Sequence, residues 1–575
     1  MDSRKVTEAA YKHALKNAFE YGSANPSAVV GKVIAEAPEA KTDMRTAMQI
    51  IRQQVEIANK LPKEVLAREL HKFEFAQKKE EPHKLRLHDA VEGTVVTRFP
   101  PEPNGFLHIG HAKAAWLNRK AADDWNGKCL LRFDDTNPEA EDPQFLSVIK
   151  ADLQWLGVNF HGESYASDLM EMLYGYGREL ILCAGAYACD CTQERIRENR
   201  EKMAECACRN RSADENLKTF EGMVEGKAKE GQSIIRFKGD MKSLNTVMRD
   251  PAMFRIIDAP HYRQGSKFKA WPSYDFEVCI ADSVTGVTHA LRSKEYELRD
   301  ELYYAILDRL ALRKPVVYGF SRLNIKGTLL SKRFLKPLIL EKKVMGWDDP
   351  RLPTIAGLRR RGILPEAIRE FVLSFGLSKV ESEPNWDALL SCNRKLLDPR
   401  AGHYYFVANP ARLSIGGIGE MEGKKIEVPI LAGKPEMGMR THALSSKVFI
   451  DGSDAAELNV GDVLRLKDAF NVKVVGKKKN GIVGEFAGTE LREGKKIQWV
   501  SAEKGEAVPC TLLKALELVD DKGEFNPDSL LVQKGYCEKA CAGLKRGDVV
   551  QFERVGFCRF DGRDADGAMQ FVWSC

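Results

Sequence analysis

Residues 94–99 (TVVTRF) form a β-branched run that halts at Pro100-Pro101, and no other segment constrains the fold as much. Proline has no backbone N–H to give to a sheet ladder, so a strand must end there. The turn Glu102-Pro103-Asn104-Gly105 follows. A helical stretch then opens near His108 and runs through Ala112, Ala115, Trp116 and Arg119, until Gly127 ends it. A second strand, Cys129–Phe133, stops at Asp134-Asp135. Strand, helix and strand in so short a span predict a βαβ unit and a parallel sheet. Ligands of such sheets bind beyond the carboxyl ends of the strands, where Phe99-Pro100-Pro101 and Asp134 stand.

Further along, Phe276–Ala281, Val287–Leu291 and Val316–Phe320 read as strands, with a helix over Glu295–Leu310 between the last two. This places two halves of one nucleotide-binding fold at 89–168 and 274–335, with 169–273 as an insertion. Residues 336–398 are helical and basic, with Arg359-Arg360-Arg361 and then Ala367–Phe375. From 399 to 575, short β-rich runs alternate with glycine and lysine turns: Lys447–Ile450, Val463–Leu466, Val472–Val475, Ile497–Val500 and Val549–Glu553. That rhythm predicts antiparallel β-barrels. Residues 1–88 form a helical extension. Ala14, Leu15, Ala18 and Tyr21 share helical spacing; after Thr42, the expected N-cap, Met44, Met48, Ile51, Val55 and Ala58 mark another helix. The charged, proline-containing Lys78–Lys84 reads as a linker. The expected fold class is multidomain, built on a split α/β Rossmann-like domain.

The 88 lysines and arginines against 82 acidic residues leave a net charge of +6, which excludes a histone-like polycation but not local basic tracks. No apolar run reaches the length of about 18 residues that a membrane span needs. The first residues, MDSRKVTEAAYKHALKNAFEYG, hold no signal-like apolar core, so the 13 cysteines read as reduced thiols in a cytoplasmic protein.

The chemistry concentrates in two strings. In PPEPNGFLHIGH (100–111), His108 and His111 are three apart and share a helix face. Gly110 between them removes a side chain, letting a base or ribose approach the backbone. Helix N-termini also offer free N–H groups to phosphate. A His-x-x-His pair alone marks no chemistry; the whole string in a strand–turn–helix setting does. In LLSKR (329–333), Lys332 follows a glycine-led loop, Lys326-Gly327-Thr328. An ammonium on such a loop suits pyrophosphate as it departs.

These strings resemble the two signature motifs of the class I aminoacyl-tRNA synthetases. The wording is similar to the glutamyl/glutaminyl branch, archaeal/eukaryotic type, in RFPPEPNGFLHIGHAKAA (98–115), LRFDDTNPEAED (131–142), YDFEVCIADSVTGVTHALR (274–292), SRLN (321–324) and WDDPRLPTIAGLRRRG (347–362). One departure stands in the second motif. The commonest family form has Lys-Met before Ser-Lys, where this chain has Leu329-Leu330, so any role of that first lysine is absent.

The resemblance implies ATP-dependent joining of an amino acid to tRNA through an aminoacyl-adenylate, with Mg2+ accompanying ATP. It implies His108, His111 and Lys332 as catalytic residues. Pro101, Gly105, Gly110, Ser331, Lys332 and Arg333 would bind ATP. Asp134 would hold the α-amino group, with Arg98 and Tyr274 lining the amino-acid pocket. It implies an acceptor-end function for the insertion and an anticodon function for the barrels.

Glutamate and glutamine differ by carboxylate against carboxamide. A buried carboxylate demands a cation, and the planar fork of arginine matches it with two hydrogen bonds. Where the glutaminyl branch has a small uncharged residue, His289-Ala290-Leu291 is followed here by Arg292, which points to glutamate. The segment 21–41 also resembles the extension of archaeal-type glutamyl members. The expected partners are L-glutamate and tRNA(Glu), with tRNA(Gln) left open as a second tRNA, for a monomer without membrane contact. Two alternatives are a glutamine-specific member and a catalytically silent tRNA-binding paralogue; the intact motifs argue against the second.

Within the insertion, Cys189-x-Cys191 and Cys206-x-Cys208 flank a helical stretch, Gln193–Ala204, and supply four thiolates for zinc. Basic clusters at Arg359–Arg361, Lys424-Lys425, Lys477–Lys479 and Lys495-Lys496 are candidate phosphate contacts. Tyr404, Tyr405 and Phe406 are candidates for stacking on bases.

Overall fold

The computed structural model describes residues 3–21, 23–70, 72–73, 84–478, 481–491 and 494–575, and divides into two compact units, Met1–His83 and Lys84–Cys575. The first unit holds α1 (Ser3–Tyr21), α2 (Pro26–Glu36), α3 (Met44–Asn59) and α4 (Lys63–Leu70). Val6, Ala10 and Ala14 of α1, Val29 and Val33 of α2 and Ala47, Ile51 and Val55 of α3 build its core. Repeats of three and four put these residues on single faces, and the alanines let helices approach closely. Thr42 is not the cap of α3. Asp43 is: its Oδ1 accepts the Thr46 N–H at 3.1 Å, while Thr42 lies in the preceding 3-10 turn. A carboxylate also meets the positive end of the helix dipole. The expected linker lies outside the described residues except for Lys84.

The second unit opens with β1 (Val96–Phe99), α5 (Ile109–Asp124), β2 (Lys128–Phe133), α6 (Pro143–Trp155) and β3 (Glu163–Tyr165). These three strands are parallel, in the order β1-β2-β3. An insertion follows. It contains α7 (Met170–Leu182), β4 (Ala186–Cys189), α8 (Gln193–Glu201), α9 (Ala213–Val224), β5 (Ile234–Phe237), β6 (Ala252–Ile256) and β7 (Ala270–Pro272). Its four strands form an antiparallel sheet, packed on Tyr174, Phe220, Phe254 and Trp271.

The chain then returns through α10 (Tyr274–Val284), β8 (His289–Ser293), α11 (Asp300–Arg309) and β9 (Val316–Phe320). Phe276–Ala281, read as a strand from sequence, is helical. Phe276, Val278, Cys279, Ile280 and Ala281 are all buried, and a helix buried on most sides loses the polar stripe that would betray it. Strands β8 and β9 are parallel. Thr288 joins them to the first half, with its N–H on the Val96 carbonyl at 2.9 Å and its Oγ1 accepting the Val96 N–H at 2.8 Å. The strand succession is therefore β3-β2-β1-β8-β9. The connections reverse between β1 and β8, and a crevice opens at the carboxyl ends of those two strands.

Next come α12 (Lys332–Leu340), α13 (Ile355–Arg360), α14 (Pro365–Leu373) and α15 (Trp386–Leu397). The last two pack Phe371, Leu389 and Leu390 into the core that also holds Phe99, Ile109 and Phe133. Beyond them lie two seven-stranded, barrel-like sheets. They are not purely antiparallel: Ala411–Gly416 pairs parallel with Gly481–Phe486, and Ala507–Ala515 with Met569–Trp573. Phe406–Ala408 pairs with Leu530–Glu538, so the last sheet takes a strand from before the other sheet begins.

Candidate active site

The crevice is a cleft of about 1270 Å³, lined by residues from both halves of the parallel sheet, the insertion and the loop before α12. His108, His111, Asp134, Arg98, Tyr274, Arg292, Pro101, Gly105, Gly110, Ser331 and Lys332 all line it. Arg333 does not; its guanidinium lies 5.1 Å from the Phe334 ring.

His108 is the N-cap of α5. Its Nδ1 accepts the Gly110 N–H at 3.1 Å, and His111 Nδ1 accepts the His108 N–H at 3.2 Å. A ring nitrogen that accepts is unprotonated, so both imidazoles carry their proton on Nε2. Burial holds both rings neutral, His108 well below the usual histidine range and His111 at about 4. The ring centroids are 3.8 Å apart. A Cβ on Gly110 would come within 2.9 Å of His108 Cε1, so the glycine is needed for the capping ring itself, beyond any room it leaves for a ligand. The loop before α13 braces this corner: Ile109 N–H bonds the Pro353 carbonyl at 3.0 Å, and Ile355 N–H bonds that of Leu107 at 2.9 Å.

Lys332 stands in the first turn of α12, not in a loop; Ser331 is the N-cap residue. Its ammonium bonds the Asn104 carbonyl and lies 5.0 Å from the Phe145 ring, so the two motif strings meet across the cleft. On the floor, buried Lys113 donates to the Ser321 carbonyl at 2.7 Å and its Oγ at 3.1 Å. Burial pulls that ammonium down to about 8.

Beside them lies a buried charge cluster. Arg98 gives Nε to Asp282 at 2.8 Å and Nη1 to the Leu291 carbonyl at 3.0 Å. Arg132 gives Nη1 to Asp282 at 2.7 Å and Nε to Asp134 at 2.6 Å. Burial raises Asp134 despite the pull of Arg132, whereas two guanidiniums outweigh burial at Asp282 and hold it low. Arg132, Asp282 and Glu277 were not anticipated from sequence. Reading Phe276–Ala281 as a strand hid that one helix, α10, carries both Glu277 and Asp282. Tyr274 opens α10 with its ring 5.1 Å from that of Tyr296. Arg292 is 7% exposed, lies 5.0 Å from the Tyr303 ring and pairs through Nη2 with Asp300; its Nε has no partner.

Cys189, Cys191, Cys206 and Cys208 converge, all four Sγ atoms within 4.8 Å of one another. The pairs Cys189–Cys206 and Cys191–Cys208 are each 3.9 Å apart. Tetrahedral thiolates about 2.3 Å from zinc stand about 3.8 Å from each other, so the donor set fits zinc. Arg236 Nη1 lies 3.9 Å from two of the sulfurs and offsets thiolate charge.

The RNA candidates fare unevenly. Arg361 is buried, 4.6 Å from the Trp386 ring, and Arg360 pairs with Asp561 at 2.8 Å, so those two are structural, while Arg359 is exposed. Tyr404, Tyr405 and Phe406 are all buried and cannot stack on bases; Tyr404 and Phe406 pack in one core and Tyr405 in another. Lys495 pairs with Asp454 and Glu457, while Lys424, Lys425, Lys477, Lys478 and Lys496 are exposed.

Residues 94–399 match the model of tRNA synthetases class I (E and Q), catalytic domain. Residues 401–490 and 496–561 match two anti-codon binding domains of the same class. The chain is 43% identical over 567 residues to the glutamate–tRNA ligase of Nitrosopumilus maritimus, covering 96% of this chain and 97% of that one. It is 39% identical over 574 residues to that of Pyrococcus abyssi, with 97% of each covered. For Korarchaeum cryptofilum the figures are 37% over 573 residues, with 97% and 98% covered.

Proposed function

The chain belongs to the class I tRNA synthetases of the E and Q branch, and from that premise we propose how its cleft works. The enzyme joins L-glutamate to tRNA with ATP as co-substrate. The observation that supports glutamate over glutamine at the residue level is Arg292, a buried guanidinium facing the cleft with an unpartnered Nε. Asp300 occupies only one edge of it, which leaves donors for the substrate γ-carboxylate. For glutamine the same donors would face an amide and lose the charge-assisted pairing.

In this reading the glutamate α-carboxylate attacks the α-phosphate of ATP. A P–O bond forms, diphosphate leaves, and glutamyl-adenylate remains. A ribose hydroxyl at the tRNA 3′ end then attacks the acyl carbonyl, and AMP leaves. The Nε2–H groups of His108 and His111 face the phosphoryl oxygens as charge grows there. Donors fixed in advance stabilise the transition state without reorganising. Lys332, opening α12, meets the departing diphosphate. Pro101, Gly105, Gly110 and Ser331 shape the nucleotide wall. Mg2+ bound with ATP would neutralise the polyphosphate. Asp134 and Tyr274 orient the amino end of glutamate, and Arg98 holds that wall through Asp282.

The division at 1–88, 89–168, 169–273, 274–335, 336–398 and 399–575 gives each function a place, with the acceptor end at the insertion and the anticodon at the barrels. Zinc at the four cysteines would lock the strand end at Cys189 to the turn at Cys206. A cytoplasmic monomer is part of the same reading; among the described residues no helix is long and apolar enough to cross a membrane.

The test is aminoacylation with labelled glutamate or glutamine on tRNA(Glu) and tRNA(Gln) transcripts. Glutamate is expected on tRNA(Glu), and its appearance on tRNA(Gln) decides whether that partner is shared. Preferential attachment of glutamine would overturn the assignment of Arg292.

A further inference from the structure

We infer that Glu277 receives the α-ammonium of the amino-acid substrate alongside Asp134, an inference that rests on the reading of the cleft above. Glu277 lies in the first turn of α10, is 0% exposed and borders the cleft. Neither of its carboxyl oxygens has a hydrogen-bond partner. Arg132 Nε is 3.9 Å away, beyond hydrogen-bond reach, and is already given to Asp134 at 2.6 Å. Asp134 in turn takes both Nε and Nη2 of Arg132, at 2.6 and 3.3 Å. Of these two carboxyl groups, the one already engaged is therefore Asp134, and the one with both oxygens unpartnered is Glu277.

The surrounding charges explain why it waits. Facing Glu277 are Arg132 from β2, Asp134 and Asp135 from the loop after it, and Asp282 and Cys279 from its own helix. Burial first, and then Asp134, hold the Glu277 carboxyl protonated well above the ordinary range. Buried carboxyl groups with empty acceptor sites are unusual, because an unmade hydrogen bond in a low-dielectric interior is costly. A positive ligand with several N–H donors removes both penalties at once. Neither ATP nor the tRNA 3′ end brings an organic cation, and glutamate brings one, its α-ammonium. Magnesium is a poorer occupant, since it sheds its water reluctantly and keeps several waters when bound. On binding, the ammonium keeps its three protons, the Glu277 O–H loses its proton to solvent, and an ion pair forms with no covalent change.

The experiment compares two inhibitors of aminoacylation: glutamol adenylate, a stable analogue of the adenylate, and its des-amino counterpart. The ratio of their Ki values reports amino-group recognition, and a general distortion of the cleft cancels from it. In Glu277→Gln the ratio is expected to shrink by about tenfold, since one charge-assisted contact is lost. Glu277→Asp should keep part of it. Binding of glutamol adenylate to the wild type near pH 7 should release up to one proton per site in weak buffer, and the des-amino inhibitor should release none. An unchanged Ki ratio in the glutamine variant, or equal proton release by both inhibitors, overturns the inference. Failure of the wild type to charge glutamate would instead overturn the reading of the cleft.

Discussion

The backbone N–H of His108 donates to Nδ1 of His111 at 3.2 Å, and this contact settles where the His111 proton resides. The ring acts as part of a capping box, so Nδ1 is occupied and only Nε2 carries hydrogen.

A pH dependence follows. Burial depresses His111 to about 4, below the unfolded value of about 6.5. The native state therefore keeps the ring neutral. The associated stability is fully present above the unfolded value and is lost as pH falls from there toward 4. No His111 inflection is expected in kcat between pH 6 and 8. His111→Asn should lower the rate of adenylate formation by about 10²–10³, the usual cost of removing one transition-state donor. Stopped-flow measurement of that step checks it, and a fall smaller than about threefold would remove His111 from the mechanism.

Arg292→Cys should cut kcat/KM for glutamate by about 10² or more, because a substrate carboxylate would be left without its charged partner. Asp300, its present partner, is 32% exposed and can turn to water, so the fold should survive. Steady-state charging paired with circular dichroism distinguishes lost recognition from lost structure.

Lys113 offers a stability test of opposite sign to an ion pair. Its ammonium is depressed to about 8, against about 10.4 unfolded. The buried charge opposes folding at neutral pH. That penalty fades as pH rises from 8 toward 10.4, so wild-type stability gains up to about 1.4 kcal/mol per pH unit there. Lys113→Met lacks this term. Denaturant melts at several pH values should show the wild type gaining on the variant across that window; parallel curves would refute it.

For the four converging cysteines, about one zinc per chain is expected from elemental analysis of protein purified without chelators. Cys208→Ser should lose the metal and loosen the segment around α8, read as faster amide exchange confined to the insertion. A content below about 0.2 zinc per chain would count against the site, because a closed thiolate site retains its metal.

Much of the cleft was legible because its signals are local. Pro100-Pro101 ends β1 whatever surrounds it, and the His108–His111 spacing places both rings at one helix start. The cysteine pairs are close in sequence, with the short helix α8 between them. Phe276–Ala281 misled because burial on most sides erases periodicity. Arg360 and Arg361 misled for a related reason: adjacent arginines at a helix end point in different directions, and Arg361 turned inward between Trp386 and Trp573 while Arg359 stays exposed.

The sequence by itself determined the βαβ start, the split of the parallel sheet and the motif strings at its strand ends, and it carried the proposal that Arg292 selects glutamate. Tertiary structure alone decided which charges meet. Arg98 finds Asp282 across 184 positions, Arg132 stands between Asp282 and Asp134, and Glu277 is left with both oxygens unpartnered. Periodicity reports only which face of an element is buried. Pairing in the interior is set by desolvation and Coulomb attraction among groups from separate strands and helices, and those are defined only once the fold has closed around them.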